Sequence, residues 1–216
     1  MKSLRDDLLL YVVSDSSWLG DNSLEYAIEK AIFGGATFIQ LREKDLDFDS
    51  FLNQAKKIKS LCNKHDIPFV INDNIDVAIH SNADGVHLGQ GDMNAFKARH
   101  LIGNDKIIGV SVQTVSQAIK AQNDGANYLG VGAIFDTNSK ADAKNVSIDT
   151  LQKICNSVDI PVIAIGGICD KNIAELSNSG ICGVAVISAV LAKPDIEKAA
   201  SELKKLAQKT IDIQSF

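Results

Sequence analysis

The sequence lacks long apolar runs, basic clusters and paired cysteines. Its apolar start, residues 8–13, is too short for a signal peptide or a membrane span, and acidic residues precede it. The net charge of −5, without a run of Lys and Arg, argues against nucleic acid as a partner. The four cysteines lie far apart, which is typical of reduced thiols. We therefore expect a cytoplasmic protein that binds neither a membrane nor nucleic acid.

Two common signatures are also missing. An open doubly wound sheet should carry a Gly-x-Gly-x-x-Gly turn after its first strand, where this chain has Ser-Asp-Ser-Ser at 14–17. No Ser/His/Asp or Cys/His nucleophile set is visible. His65, His80 and His100 fall in helical or loop stretches, where we predict surface positions. These absences disfavour the doubly wound architecture and a nucleophile from either set.

Apolar runs of strand length alternate with helical patterns along the chain. Strands are predicted near 8–14, 37–42, 68–73, 84–88, 106–112, 127–134, 160–166 and 183–188. Helical spacing is clearest over 48–65, and a second pattern over 195–209 begins after Pro194. Strands that are apolar on both faces and separated by helices indicate a parallel sheet covered by helices.

Eight such units predict an α/β fold, a (β/α)8 TIM barrel. A weak repeat supports the count, because short elements such as Gly35-Ala36 and Gly125-Ala126 precede the even-numbered strands. Ile-Pro pairs open the third and seventh strands, giving a period of roughly 45 residues for two strands. With 216 residues and a 45% apolar fraction, we predict one catalytic domain over 1–216.

Polar residues follow the second strand at alternate positions. Gln40, Arg42 and Lys44 should share one face, because alternate residues of a strand point the same way. Two cations and an amide at a strand end make a receptor for an oxyanion, since arginine forks onto two oxygens and lysine supplies a point charge. The structural alternative is an ion-paired strand end, with Glu43 as a partner for one of the cations.

Carboxylates follow the third and fourth strands. Asn72 and Asp73 end one, and His87 and Asp92 lie at or beyond the end of the other. Two aspartates from adjacent strand ends supply the few carboxylates that Mg²⁺ accepts, with waters and substrate phosphates completing the octahedron. The alternative is that each aspartate caps the following helix. His87 is either a substrate contact or a packed strand-end histidine.

A second anion site is predicted after the last two strands. Gly167 follows the seventh strand, and Ile187 and Ser188 follow the eighth, where barrels of this kind often bind phosphate. The polar connection 136–145 adds the hydroxyls of Thr137 and Ser139 and the cation of Lys140, between the two anion sites. Two anion sites, one with a metal, suggest transfer chemistry between two small phosphorylated substrates.

These residues lie in motifs that resemble the thiamine phosphate synthase family. The ordered segments, which span nearly the whole chain, are QLREK (40–44), IND (71–73), DGVHLGQGD (84–92), GVS (109–111), YLGVGAIFDTNSK (128–140), PVIAIGGI (161–168) and GVAVISAV (183–190). The resemblance implies a (β/α)8 barrel that uses Mg²⁺. It also implies a transferase that joins 4-amino-5-hydroxymethyl-2-methylpyrimidine diphosphate to 4-methyl-5-(2-phosphoethyl)thiazole, or its carboxylate, giving thiamine phosphate and diphosphate.

Carried over position by position, the resemblance implies three sets of site residues. The pyrimidine diphosphate would be held by Gln40, Arg42, Lys44, Asn72, His87, Ser111 and Lys140. The catalytic members would be Arg42, Lys44, Ser111 and Lys140. Mg²⁺ would be ligated by Asp73 and Asp92. The thiazole phosphate would be bound by Thr137, Ser139, Gly167, Ile187 and Ser188.

Two positions depart from the family pattern. Ser139 stands where threonine is usual, which keeps the hydroxyl. Gly91 stands where an acidic residue is common beside the metal aspartate, which should weaken metal affinity slightly.

The implied chemistry needs no strong general base. We hypothesise that the pyrimidine C–O bond breaks first, because the ring amino group stabilises a methylene cation, and that the unprotonated thiazole nitrogen then attacks. Two alternatives stay open. One is the related thiazole tautomerase, which depends on a histidine shortly after strand five, where this chain has Gln113. The other is a non-catalytic phosphate-binding barrel. The sequence leaves the oligomeric state open, a homo-oligomer included.

Overall fold

Eight parallel strands close into a barrel in the computed structural model, which describes residues 3–137 and 145–212. The strands are β1 (Leu10–Val13), β2 (Phe38–Leu41), β3 (Phe69–Asn72), β4 (Gly85–Leu88), β5 (Ile107–Val112), β6 (Tyr128–Val131), β7 (Val162–Ile165) and β8 (Gly183–Val186). Each strand pairs with the next, and β8 pairs with β1 to close the ring. The predicted (β/α)8 barrel is confirmed, with every strand inside its predicted range.

Helices cover the outside of the barrel, apart from the first, whose Leu4 packs against the core inside it. They are α1 (Leu4–Asp7), α2 (Leu24–Phe33), α3 (Phe48–Lys64), α4 (Ile75–His80), α5 (Ala95–Ile102), α6 (Val115–Asn123), α7 (Ile148–Cys155), α8 (Ser188–Leu191) and α9 (Ile196–Asp212), with 3₁₀ helices at Ser16–Trp18 and Ile173–Leu176. The β7–β8 connection carries the second 3₁₀ helix, and α9 packs against it as well as against α2 and α8. Within the described ranges, none of the helices is long and apolar enough to cross a membrane.

Side-chain caps explain where most of the helices begin. In each case a side-chain oxygen accepts a hydrogen bond from the backbone N–H three residues later. The capping residues are Ser23 of α2, Asp47 of α3, Asn74 of α4, Asn94 of α5, Thr114 of α6 and Ser147 of α7. Each such cap contributes about 1 kcal/mol to helix stability. The caps follow the carboxyl ends of the strands, so they fix the far ends of the loops above the barrel.

Periodicity predicted the two longest helices well. The pattern over 48–65 corresponds to α3, which buries Phe51, Ala55 and Ile58 against the strands. The pattern over 195–209 corresponds to α9, which has Ile196 buried in its first turn. Helical spacing identified these faces because one stripe of each helix leaves water on folding.

The barrel interior has an apolar core of its own, separate from the layer between strands and helices. Its buried members are Leu8, Tyr11, Val13, Phe38, Val70, Tyr128, Ile163, Cys182 and Ala185. Three aromatic rings occupy the centre, with centroids 4.6 Å apart for Tyr11 and Phe38 and 5.8 Å apart for Phe38 and Tyr128. Because these rings fill the barrel, a substrate site has to lie above them, at the carboxyl ends of the strands.

The ring closes tightly where β8 meets the segment leading into β1. A Cβ at Gly183 would overlap the carbonyl oxygen of Leu8 and lie 2.6 Å from its carbonyl carbon and 3.0 Å from Leu9 Cα. These neighbours are backbone atoms, which cannot rotate away as the end of a side chain can. Glycine at 183 is therefore a condition for closing the barrel.

We predict that Gly183→Ala lowers the free energy of unfolding by about 3 kcal/mol, because the added methyl group forces the backbone before β1 to move. Gly91→Ala is the matched control, since a Cβ there meets nothing within 4 Å, and it should change stability by about 0.5 kcal/mol or less. Urea unfolding of both variants measures the difference. Equal midpoints for the two variants would contradict a tight closure at β8.

Candidate active site

Polar side chains line the barrel above the aromatic rings. Gln40, Asn72, His87 and Ser111 occupy the carboxyl-terminal parts of β2, β3, β4 and β5, and strand register places Asn72 beside His87. Gln40, His87 and Ser111 all bond into the interior, as described below. Asn72 lies two residues after Val70 of the interior core, so it shares that inward face. Four sequence-predicted residues thus come from four successive strands.

A continuous hydrogen-bonded chain crosses the barrel beneath the strand ends. Gln40 Nε2 donates to Tyr11 Oη at 2.6 Å, and the hydroxyls of Tyr11 and Tyr128 lie 2.8 Å apart. Tyr128 Oη lies 2.8 Å from His87 Nδ1, and His87 Nε2 lies 2.9 Å from Ser111 Oγ. The chain therefore joins a residue of β2 to a residue of β5 through two buried tyrosines, and the sequence reasoning missed both of them.

Glycines on the neighbouring strands make room for this chain. A Cβ at Gly109 would overlap the Tyr128 phenol and lie 2.5 Å from His87 Nδ1, and one at Gly130 would lie 3.2 Å from His87 Cε1. Burial raises the pKa of Tyr11 and that of Tyr128 well above the ordinary value of a phenol. Both tyrosines therefore stay protonated and take part as neutral hydroxyls.

Arg42 has a partner that the sequence did not suggest. Its Nη1 donates to Asp15 Oδ2 at 3.0 Å, both side chains are largely buried, and its backbone N–H donates to Ser14 Oγ at 2.9 Å. The ion-paired strand end considered above is thus realised by Asp15 at the end of β1, and Glu43 as the partner was wrong. Lys44 lies beyond the strand end and is exposed.

Glu43 lies next to this pair in the chain but is not the ion-pair partner of Arg42. Its Oε1 is buried and has no hydrogen-bond partner in the described part of the chain. Burial raises the pKa of the Glu43 carboxyl, and the nearby carboxylates of Asp15 and Asp45 raise it further.

Neither candidate metal ligand caps a helix. The cap of α4 is Asn74 and the cap of α5 is Asn94, so the capping role considered for Asp73 and Asp92 is wrong. Both carboxylates are exposed at the carboxyl side of the barrel. Helix capping is thus removed as an explanation of why these positions are acidic.

The two aspartates are held by the backbone around His87. Asp73 has a left-handed φ of 61° and donates its N–H to the His87 carbonyl oxygen at 2.8 Å. Asp92 Oδ2 accepts a hydrogen bond from the N–H of Gly89 at 2.7 Å in the turn after β4. A left-handed backbone costs a non-glycine residue free energy, which is a feature more common at functional sites than elsewhere.

The donor set fits Mg²⁺ better than a metal that needs an all-protein cage. No group of three or more His, Cys, Asp or Glu side chains that could hold a metal occurs among residues 3–137 and 145–212. Mg²⁺ needs only one or two carboxylates, because it keeps several waters and binds substrate phosphates. Asp73 and Asp92 supply that number.

The loops after β6 and β7 pack on one another. Gly166 and Gly167 have φ values of 97° and 66°, and a Cβ at Gly167 would overlap the Asp136 carbonyl oxygen and lie 2.8 Å from Phe135. The glycine pair is therefore required for the β6 loop to lie on the β7 turn. This contact brings Thr137, which is half-buried, toward the same end of the barrel.

The remaining predicted residues divide into two groups. Ile187 ends the approach to α8, where its carbonyl oxygen accepts from the N–H groups of Val190 and Leu191, and Ser188 is the first helical residue. Ser139 and Lys140 lie outside the described residues, so their predicted roles stay predictions.

The sequence of this chain is similar to those of known proteins. A family model described as thiamine monophosphate synthase matches residues 10–190. The thiamine-phosphate synthase of Clostridium tetani is 50% identical over 197 residues, covering 91% of this chain and 94% of that protein. The thiamine-phosphate synthase of Ruminiclostridium cellulolyticum is 48% identical over 206 residues, covering 95% and 98%.

The fold is also similar to that of a solved structure. The thiamine phosphate pyrophosphorylase from Pyrococcus furiosus superimposes with a TM-score of 0.89 at 38% sequence identity, covering 97% of this chain and 100% of that one. The residues matched by the family model, 10–190, include the strands that carry Gln40, Asn72, His87 and Ser111. From its sequence and its fold, the chain belongs to the thiamine monophosphate synthase family.

Proposed function

We propose that this protein is a thiamine phosphate synthase. It joins 4-amino-5-hydroxymethyl-2-methylpyrimidine diphosphate to 4-methyl-5-(2-phosphoethyl)thiazole or its carboxylate, and releases diphosphate. The observation that carries the proposal is the match to thiamine-phosphate synthases over more than nine-tenths of the chain at 48–50% identity. The polar floor of the barrel, with cations and carboxylates at its rim, is the kind of site this reaction requires.

Arg42 would bind the diphosphate of the pyrimidine substrate. One Nη1 hydrogen is used by Asp15, and a guanidinium has five N–H donors, so most remain for phosphate oxygens. Because Asp15 fixes the side chain, little conformational entropy is lost when the anion binds. Lys44 and Lys140 would add point charges to the same group, and Asn72 an amide.

Asp73 and Asp92 would hold Mg²⁺, which neutralises charge on a diphosphate and favours its departure as a leaving group. The exposed positions of both carboxylates leave room for the waters and phosphate oxygens that such an ion keeps. The departing diphosphate is also stabilised by Arg42 and by the lysines, so the protein contributes fixed positive charge where negative charge develops.

The site would orient two substrates without using a histidine as a base. His87 is engaged at both ring nitrogens, by Tyr128 and by Ser111, so it has no nitrogen directed at a reacting atom. This agrees with attack by a thiazole nitrogen that carries no proton. Rate enhancement would come from holding the two rings together, from charge stabilisation and from excluding water.

The open carboxyl-terminal end of the barrel is called the mouth below. The thiazole phosphate would lie on the side of the mouth opposite to the pyrimidine diphosphate. Thr137, Ser139 and Ser188 would donate hydroxyls to the thiazole phosphate, and Gly167 and Ile187 would present backbone groups. We further propose that 1–216 act as one catalytic domain in the cytoplasm.

The alternatives have less support. The related tautomerase depends on a histidine after the fifth strand, and directly after β5 this chain has Gln113, whose Nε2 donates to the Gly132 carbonyl oxygen at 3.4 Å. A non-catalytic barrel does not explain why the ion-paired Arg42 lies at the same end of the barrel as Asp73 and Asp92, which do not cap helices.

We expect the purified protein to release diphosphate only when both substrates and Mg²⁺ are present. Lys140→Ala should depress turnover severely, because it removes a cation from the leaving group. A coupled diphosphate assay with each substrate omitted in turn measures this. No release with the complete mixture would exclude a synthase, and near-normal turnover by the variant would contradict the role of Lys140.

Asp73→Asn should raise the Mg²⁺ concentration for half-maximal activity on the order of tenfold, since one charge–charge contact near a surface is worth roughly 1–4 kcal/mol. Asparagine tolerates the left-handed backbone at position 73, so the fold should be kept. Asp105→Asn, an exposed aspartate before β5 at the opposite end of the barrel, is the control. Identical Mg²⁺ curves for the two variants would remove Asp73 from the metal site.

Asp15→Asn should raise the KM for the pyrimidine diphosphate by about tenfold, because Arg42 loses the charge that holds it in place. Asp45→Asn removes an equal charge from the following loop and should leave this KM unchanged. Steady-state kinetics at saturating thiazole phosphate compare the two. The hypothesis that Asp15 positions Arg42 would be wrong if both variants shifted KM equally.

A further inference from the structure

Hydrogen bonds join five side chains beneath the mouth, and their donors follow one order across the barrel. The side chains are Gln40, Tyr11, Tyr128, His87 and Ser111. An amide nitrogen can only donate, so the 2.6 Å contact makes Gln40 Nε2 the donor and Tyr11 Oη the acceptor. Tyr11 then has its own hydrogen to give, and its neighbour at 2.8 Å is Tyr128 Oη. With Tyr11 donating to Tyr128, the Tyr128 hydrogen is left for His87 Nδ1, which lies 2.8 Å away.

The same direction continues to the other side of the barrel. With Nδ1 accepting, a neutral His87 carries its proton on Nε2 and donates it to Ser111 Oγ at 2.9 Å. Among the described residues, the Ser111 hydroxyl has one hydrogen-bond partner, His87. The Ser111 hydroxyl hydrogen is therefore available to a group in the mouth. Ser111 is itself held in place, because Gln90 Nε2 donates to its carbonyl oxygen at 2.7 Å.

Turning the Gln40 amide over would reverse every donor in the chain. If the amide oxygen faced Tyr11, Tyr11 would donate to it, and Tyr128 would donate to Tyr11. His87 would then carry its proton on Nδ1, and the Ser111 hydroxyl would donate to Nε2. The orientation of one amide thus decides whether Ser111 offers its hydrogen to the mouth or to the histidine.

We propose that Tyr11 and Tyr128 are positioning residues that transmit the orientation of the Gln40 amide to the Ser111 hydroxyl. This inference rests on the proposed function. An amino group on the pyrimidine is a donor and complements the Gln40 oxygen, which keeps the nitrogen on Tyr11. Binding of the correct ring on Gln40 would therefore direct the Ser111 O–H into the mouth, where the diphosphate departs, with no covalent step in the relay.

Three observations support transmission over simple packing. Both tyrosines are fully buried, so an unmet hydroxyl there would be costly, and their pKa values are raised enough to keep both neutral. Gly109 has no room for a side chain because Tyr128 and His87 approach each other over it. Phenylalanine would fill the same space, as Phe38 does beside Tyr11, so packing alone does not require two hydroxyls.

The tautomer of His87 tests the proposal directly and without substrate. Nitrogen NMR of histidine-labelled protein, above the ordinary histidine pKa, distinguishes the two neutral forms. His87 should carry its proton on Nε2. His80 and His100 are internal references with the opposite form, because their Nδ1 atoms face the carbonyl oxygens of Asp76 and Phe96 at 2.7 Å. A proton on Nδ1 of His87 would overturn the proposal.

Two variants then test transmission. Gln40→Glu replaces the donor by a carboxylate, which only accepts, so Tyr11 should donate to it, Tyr128 should donate to Tyr11, and His87 should carry its proton on Nδ1. Tyr128→Phe removes the partner of Nδ1, so His87 should become a mixture of tautomers. The same variant should lower kcat about tenfold with KM for the pyrimidine diphosphate nearly unchanged, since the Ser111 contact strengthens as diphosphate leaves. Tyr26→Phe, at an exposed tyrosine, is the control and should change neither reading.

The outcomes separate this inference from the proposed function. If the wild-type protein has the expected tautomer and His87 keeps it in Gln40→Glu, transmission is overturned while the proposed synthase activity is not. A proton on Nδ1 in Gln40→Glu, together with a mixture of tautomers and a lowered kcat in Tyr128→Phe, would support transmission. Absence of any coupling activity in the wild-type protein would refute the proposed function, and the NMR result would still report on the direction of the chain.

Discussion

Hydrogen-bond satisfaction inside the barrel is the constraint on which the site depends. Two phenol hydroxyls lie in the centre, away from water, and each needs a partner because an unmet buried hydroxyl costs on the order of 1–3 kcal/mol. Tyr11 and Tyr128 bond to one another, and each hydroxyl can make a second hydrogen bond. The series of hydrogen bonds therefore extends on both sides until it reaches the mouth. Gln40 ends it on one side, and His87 with Ser111 ends it on the other. The floor of the site is thus the boundary of the interior core.

Glycine placement is the second requirement, because the barrel has a fixed circumference and its interior cannot expand. Large side chains on β1, β2 and β6 are matched by glycines on β5 and β8, where a Cβ would meet an aromatic ring or a backbone carbonyl. At the rim, glycines after β7 let the β6 loop approach closely. The same residue type closes the barrel at β8, admits His87 in the centre and brings the β6 loop toward the mouth.

The sequence predicted the strands because they are apolar on both faces, and it predicted α3 and α9 because one stripe of each is buried. It could not supply the partners of polar residues that lie far apart in the chain. Asp15 and Arg42 are 27 positions apart, and Tyr11 and Tyr128 are 117 positions apart. Tyrosines in strands read as core residues, and only the register shows that their hydroxyls meet. The capping explanation of Asp73 and Asp92 failed because an asparagine follows each one and starts the helix.

A site built in this way is suited to stabilising charge rather than to moving a proton. His87, the one histidine in the barrel interior, has Tyr128 on one nitrogen and Ser111 on the other, so both ring nitrogens are bonded to the protein rather than directed at a substrate. Arg42 cannot lose its charge at any ordinary pH, and Asp15 keeps it in place. Fixed cations and oriented hydroxyls need no reorganisation when a leaving group gains negative charge. That property is what separates a coupling reaction through a cation from acid–base chemistry, and it follows from how the interior polar groups are satisfied.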